Sequence, residues 1–353
     1  MSVLLIHPPV AKPAEPPAGL AKLAGALKRH GVPYRLLDAS LEGLLHLLQG
    51  GQTSAVPEDN WTRRALRQQA AHLETLRTWP AYGSPDRYGR AVHDLSRVLR
   101  KTVARSHIRV GLANYDDHTL SPVRSADLLQ AAEAPEMSPF YPYFRTRLIS
   151  LLEEEPPQVI GFSINYLSQA LSAFAMIGLI RKTASSLRIV LGGGLVTSWA
   201  KRLAGNNTFA GLVDDLIAGP GEAPLLALLG RTADCPDTPP DYSAFPRKSY
   251  LSPGVILPYA ASRGCYWKRC SFCPERAEGN PYQPVSPEKV MAELKFLTQE
   301  TAPSLIHFLD NAMSPALLRT LAKGGGFGAP WSGFARITED LQEWDLCRQL
   351  KQS

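Results

Sequence analysis

Cysteine is scarce in this chain, five among 353 residues, so any clustering of it is informative. No apolar run approaches the roughly eighteen residues of a membrane-spanning helix. Residues 1–10 carry no cationic stretch and no small-residue cleavage site. The expectation is therefore a cytoplasmic protein with no membrane partner, in a compartment that keeps thiols reduced. Lysines and arginines form no block of five or more although the net charge is +6, so charge alone builds no nucleic-acid-binding arm, and such a partner is not expected. No histidine stands in a Cys-x-x-His or His-x₃₋₅-His arrangement. What is present is ordinary for a folded protein: 44% hydrophobic and 20% charged residues exclude wholesale disorder and suffice for two cored domains of mixed α/β class.

Three of the five cysteines, Cys265, Cys270 and Cys273, fall within nine residues, in the run Ser262-Arg263-Gly264-Cys265-Tyr266-Trp267-Lys268-Arg269-Cys270-Ser271-Phe272-Cys273. Such crowding points to a bound metal. Three thiolates can hold three irons of a [4Fe–4S] cluster and leave the fourth open to a small molecule that receives an electron. A structural zinc ion wants a fourth ligand close by. None lies at finger spacing: Cys235 is thirty residues upstream, Cys347 is far downstream, and His107, His118 and His307 are distant. A zinc knuckle, or three unrelated thiols, stay open as readings of the spacing alone.

Elsewhere the chain alternates strand and helix patterns. Residues 3–6 read as a strand, Leu20, Leu23, Ala24 and Leu27 mark a helix ending at His30-Gly31, and residues 34–37 form a second strand finishing on Asp38. The rhythm returns with a strand at 159–163, a helix at 167–184 and a strand at 188–191 that runs into Gly192-Gly193-Gly194. A short strand at 216–218 and a helix at 223–229 follow. This predicts a doubly wound, Rossmann-like sheet domain over 1–231, whose ligands would gather at the carboxyl ends of the strands, near Ser163, Gly192 and Gly193. Glycine there lets a flat, bulky ligand reach the backbone. Residues 41–152 form a mainly helical insertion, with amphipathic helices at 59–79 and 86–104 and a further helix at 144–155. Arg63, Arg64, Arg67, Arg97, Arg100 and Lys101 give the first two cationic faces, expected to be solvated.

Residues 232–250, rich in Pro, Asp and Thr, read as a linker. In 251–353 a strand at 256–260 carries the cysteine run at its carboxyl end. A helix at 287–299 with Ser286 as N-cap, a strand at 305–309 closing on Asp310-Asn311, and a strand at 331–337 bearing Arg336 complete three β/α units of a partial barrel.

The cysteine run resembles the cluster-binding loop of the radical S-adenosylmethionine (SAM) enzymes, and its Ser-Arg-Gly-Cys-Tyr-Trp wording is most similar to members with a cobalamin (B12) domain in front. The common family spacing is C-x₃-C-x₂-C, whereas this chain reads C-x₄-C-x₂-C. The first domain shares that family's order of motifs: a strand ending in Pro-Pro, a Gly-Leu-x-x-Leu-Ala helix, an Asp after the second strand, Phe-Ser after the third, Gly-Gly after the fourth and Gly-x-Gly-Glu after the fifth. The resemblance implies metal ligation by Cys265, Cys270 and Cys273, packing of Phe272 near the adenine of SAM, hydrogen bonds from Asp310 and Asn311 to SAM, and pairing of Arg336 with its carboxylate. It implies cobalamin at the Ser163, Gly192 and Gly193 edge. The Asp-x-His-x-x-Gly loop that supplies an axial histidine elsewhere is missing, and His7 reads as a loop residue rather than a cobalt ligand.

The implied reaction is reductive SAM cleavage followed by methyl transfer to, or other modification of, a peptide or small-molecule carbon, with peptide maturation favoured. An electron donor such as flavodoxin or ferredoxin is implied. A family barrel has six strands and three are legible here, so either the remainder is missing or a second polypeptide completes it. A non-catalytic cobalamin- or cluster-binding module and a zinc-dependent nucleic-acid-binding protein are the alternatives.

Overall fold

The computed structural model describes residues 2–50, 59–103, 107–203, 207–231 and 238–353. Two compact units divide the chain, Met1–Leu251 and Ser252–Ser353. Among the described residues no helix is long and apolar enough to cross a membrane.

In the first unit, strands β1 (Val3–His7) and β2 (Tyr34–Asp38) flank the helix Ala18–Arg29. The insertion then contributes a small antiparallel hairpin, β3 (Ile108–Val110) and β4 (Tyr115–Asp117). Strands β5 (Val159–Ser163), β6 (Arg188–Gly192) and β7 (Asp215–Leu216) return the chain to the main sheet, which is parallel throughout in the order β2-β1-β5-β6-β7. The order reverses direction between β1 and β5, so their carboxyl ends form the switch-point crevice of a doubly wound sheet.

The helix Leu167–Thr183 is apolar around its whole circumference, and residues 169–180 are all buried. Such a helix must be covered on both sides. It shares one core with the sheet residues Ile160, Phe162, Ile189 and Leu191, and the insertion helices Ser125–Glu133 and Tyr141–Glu154 contact it too. The insertion is thus a third layer sharing the main core, with Phe140, Phe144, Leu95 and Leu99 fully buried. The two amphipathic helices form at Asn60–Leu76 and Pro85–Thr102, started by Asp59 and Ser84 as side-chain caps. Position 104 of the expected second helix lies outside the described residues.

The described part of the expected linker, residues 238–250, belongs to the first unit. Asp241 accepts from the Tyr34 hydroxyl at 2.9 Å and pairs with Lys28 Nζ at 3.0 Å, while its backbone N–H donates to Ala21 O at 2.8 Å. Pro239 packs so closely on Gly25 that a Cβ there would lie 2.1 Å from the proline carbonyl oxygen. Leu251 N–H donates to Pro13 O at 2.8 Å, securing the proline-rich loop after β1. Its content of Pro, Asp and Thr reads as that of a linker. The same residues pack and accept hydrogen bonds well.

The second unit opens with β8 (Ile256–Tyr259) and β9 (Ser262–Arg263), followed by β10 (Gln283–Pro284), β11 (Leu305–Phe308) and β12 (Trp331–Ser332). Strands β8, β11 and β12 form a parallel sheet in the order β12-β11-β8, connected by the helices Pro287–Thr301 and Pro315–Lys323. Helices thus alternate with the three parallel strands. The strand expected over 331–337 is shorter: after Ser332 only the bridge between Met313 and Ala335 continues the pairing.

Candidate functional site

The cysteine loop is held at its base by the two-residue ladder of β9 and β10, Arg263 opposite Gln283 and Ser262 opposite Pro284. Gly264 leaves β9 at φ +71°, against Pro281: a Cβ there would lie 2.5 Å from the Pro281 carbonyl oxygen. Glycine is the residue that meets both demands. Lys268 also adopts a left-handed conformation, φ 49°, without being glycine or asparagine. It sits between Cys265 and Cys270, so the one residue by which this spacing exceeds C-x₃-C-x₂-C is accompanied by a reversal of the backbone. Cys273 N–H donates to Cys270 O at 3.3 Å, and Cys273 precedes the short helix Pro274–Glu278.

All three thiols are free and partly exposed. Cys347 is free as well, its Sγ directed to Leu341 O at 3.2 Å, and Cys235 lies outside the described residues. Among the described residues no three His, Cys, Asp or Glu side chains converge as metal ligands do. Three thiols in one loop are a donor set that suits an iron–sulfur cluster in its chemistry, while the side chains stand apart.

Two residues from neighbouring strand ends secure the loop. Asp310, just beyond β11, is buried, and its carboxylate accepts from Ala261 N–H at 2.9 Å and from the Ser262 hydroxyl. Burial pushes its carboxyl above the ordinary range, partly offset by these hydrogen bonds. Arg336, beyond β12, stacks its guanidinium on Trp267 of the loop, with Cζ 3.2 Å from the ring centroid; Arg269 lies over the same ring at 4.8 Å. Asn311 is exposed, and Phe272 is 88% exposed. The three cysteines, Asp310 and Arg336 thus share one loop and its supports, with Phe272 inside that loop.

Beside the switch point of the first unit, His7 and Asp38 are register partners at the carboxyl ends of β1 and β2. Both are buried. Burial holds the imidazole below its ordinary pKa and the carboxyl above its own, each partly offset by the charge of the other. Asp38 accepts from Leu41 N–H at 3.0 Å, which caps the helix Ala39–Gln49, and from the Tyr250 hydroxyl at 2.8 Å. His7 is flanked by Gln169, whose Nε2 lies 3.3 Å from the ring nitrogens and donates to Pro8 O at 2.8 Å. Gln169 Oε1 accepts from Asn165 N–H at 2.8 Å and Tyr166 N–H at 3.1 Å.

Ser163 accepts from Asn165 Nδ2 at 3.1 Å, and Asn165 Oδ1 accepts from Gly194 N–H at 3.0 Å, so one side chain ties the β5 and β6 loops together. Gly193 has φ +105°, and a Cβ on it would lie 2.5 Å from Ile164 O. Here glycine allows two loops to meet. Gly192 ends β6 opposite Ser163. Sequence reasoning overlooked Gln169 and Tyr250. A glutamine three positions after a helix N-cap was the available signal for the first, since it reaches back to free N–H groups; nothing local marks the second.

No family model and no curated protein matches this chain. Among solved structures it is similar to the radical SAM methyltransferase TsrM from Kitasatospora setae. With tryptophan substrate and the SAM analogue aza-SAM bound, that protein aligns at TM-score 0.50 and 16% identity over 99% of this chain and 57% of its own. With cobalamin and a [4Fe–4S] cluster bound, it aligns at TM-score 0.46 and 15% identity over 99% of this chain and 59% of its own. The chain spans under two thirds of the length of that protein. The likeness is one of fold: a mixed α/β chain with parallel sheets.

Proposed function

We propose that this chain is a radical SAM protein with a cobalamin-binding first unit, acting in methyl transfer to a peptide or small-molecule carbon. One observation carries the reading: three free thiols share a short loop at the end of the first strand of a parallel β/α sheet, and the next two strand ends secure that loop through Asp310 and Arg336. The fold likeness to TsrM supports it. In this reading Cys265, Cys270 and Cys273 hold the [4Fe–4S] cluster, and Phe272 and Asn311, both exposed, are the side chains left for SAM. Arg336 orders the loop through Trp267, and Asp310 fixes its base. In the first unit Ser163, Gly192 and Gly193 border the crevice proposed for cobalamin, and His7, enclosed by Gln169 and Asp38, does not serve as a cobalt ligand. When bound, these cofactors supply the one-electron and methyl-carrying chemistry that protein side chains lack.

Anaerobic reconstitution tests the reading. Iron with labile sulfide on the wild-type chain is expected, lost in Cys265→Ala, Cys270→Ala and Cys273→Ala and kept in Cys347→Ala. Zinc at one per chain, or brown colour surviving any of the first three substitutions, overturns it.

A further inference from the structure

Beside the helix Leu167–Thr183, the inserted hairpin β3–β4 and the helix Ser125–Glu133 line a cavity of about 150 Å³ that opens to solvent past the half-exposed Met137. Ala131, Leu171, Ala175 and Met137 give it an apolar wall, and Tyr115 and Asp117 face it from the hairpin.

A void of this size can be a packing fault. The geometry of the same two helices argues otherwise. At Gly178 they approach as closely as backbones allow: a Cβ there would lie 1.9 Å from Ala132 O. One turn earlier, at Ala175 and Ala131, the same pair leaves a gap. The pocket thus opens where both helices carry alanine.

Asp117 is the one carboxylate on the wall. Its Oδ1 accepts from Thr119 N–H at 2.8 Å, Thr119 Oγ1 at 2.6 Å and Leu120 N–H at 3.1 Å, which fixes the turn after β4. Its Oδ2 takes no hydrogen bond from the described residues. The pocket therefore combines an apolar wall with one unengaged carboxylate oxygen, beside the polar side chains of His107, Thr119, Gln130 and Ser138. A cavity of about 150 Å³ has room for a benzene-sized molecule. Methionine sulfur packs well against ring edges.

We propose that this cavity binds a small aromatic molecule bearing one O–H or N–H donor, with the ring among Leu171, Ala175 and Met137 and the donor on Asp117 Oδ2. The site is independent of the cysteine loop and of any metal.

Calorimetry and thermal melting of the full chain test it, with p-cresol and toluene as probes. Saturable one-to-one binding of p-cresol is expected, with a melting temperature that rises with its concentration. Toluene should bind at least about tenfold more weakly, because it cannot donate to a carboxylate. Ala175→Leu fills the space and should abolish p-cresol binding while melting no lower than the parent. Ala131→Leu repeats the test from the opposite wall should the first variant melt low. Asp117→Asn keeps one oxygen for the turn and should remove the preference for p-cresol over toluene. Failure of p-cresol to saturate, binding unchanged in a well-folded filled variant, or equal affinity for the two probes overturns the proposal.

Discussion

The guanidinium carbon of Arg336 lies 3.2 Å from the centre of the Trp267 ring, midway between Cys265 and Cys270. A residue that follows the third parallel strand of its sheet therefore holds the segment that follows the first. Cation–aromatic stacking of this kind contributes about 0.5–2 kcal/mol according to how far it is shielded from water.

Arg336→Met removes the cation and keeps an apolar stem. Faster amide hydrogen exchange across residues 265–270 is expected, with a stability loss of about 0.5–1 kcal/mol. Arg336→Lys should be intermediate, because an ammonium stacks less well than a planar guanidinium. Exchange rates unchanged in the methionine variant would show that the stack does not order the loop.

Asp310→Ala leaves the buried Ala261 N–H without its acceptor. A loss of about 1–3 kcal/mol is expected, read from the urea midpoint. Asp310→Asn, which retains one carbonyl oxygen, should recover part of it. Should alanine and asparagine cost the same small amount, the carboxylate is not the anchor described.

Acid stability reports on the strap at Asp241. Burial pushes this carboxyl up, but hydrogen bonds from Ser243, Lys28 and Tyr34 together outweigh it and bring the pKa from 3.8 to about 2. The folded chain therefore releases this proton more readily than the unfolded one. The resulting stabilisation is complete above the unfolded value and disappears as pH falls through about 2. Asp241→Asn should cost about 1–2 kcal/mol at neutral pH, discounted for solvent screening, and progressively less as pH falls from about 4 through about 2. Parallel stability curves for the two proteins across that range would contradict the pairing.

Gly193→Ala sets a methyl against Ile164 O in a backbone conformation that alanine avoids. A loss of at least about 2 kcal/mol is expected in chemical denaturation. A change within about 0.5 kcal/mol would mean that the β5 and β6 loops have room to part.

Much of this architecture is legible because its determinants are local. The apolar runs at β1 and β5 and the capped helix after Ser286 need only near neighbours to declare themselves. The β3–β4 hairpin was not legible, since three-residue strands are too short to show alternation. The cysteine loop announced its donors through spacing. The supports could not be read the same way. Asp310 and Arg336 stand out as polar residues at strand ends, and whether they turn towards a ligand or towards Ala261 and Trp267 depends on contacts between segments tens of residues apart. Tyr250 meets Asp38 across 212 positions, a relationship no local pattern encodes.

The close seating of Pro239 on Gly25 also has a practical corollary. A fragment trimmed where the composition changes, at residue 231, would strip that cover from the helix Ala18–Arg29 and uncouple Asp38 from its phenol partner, whereas one ending at residue 251 would retain both. Recombination between related genes that respects this fold should accordingly favour junctions after the tyrosine and leucine at 250 and 251 over junctions inside the proline-rich stretch before them.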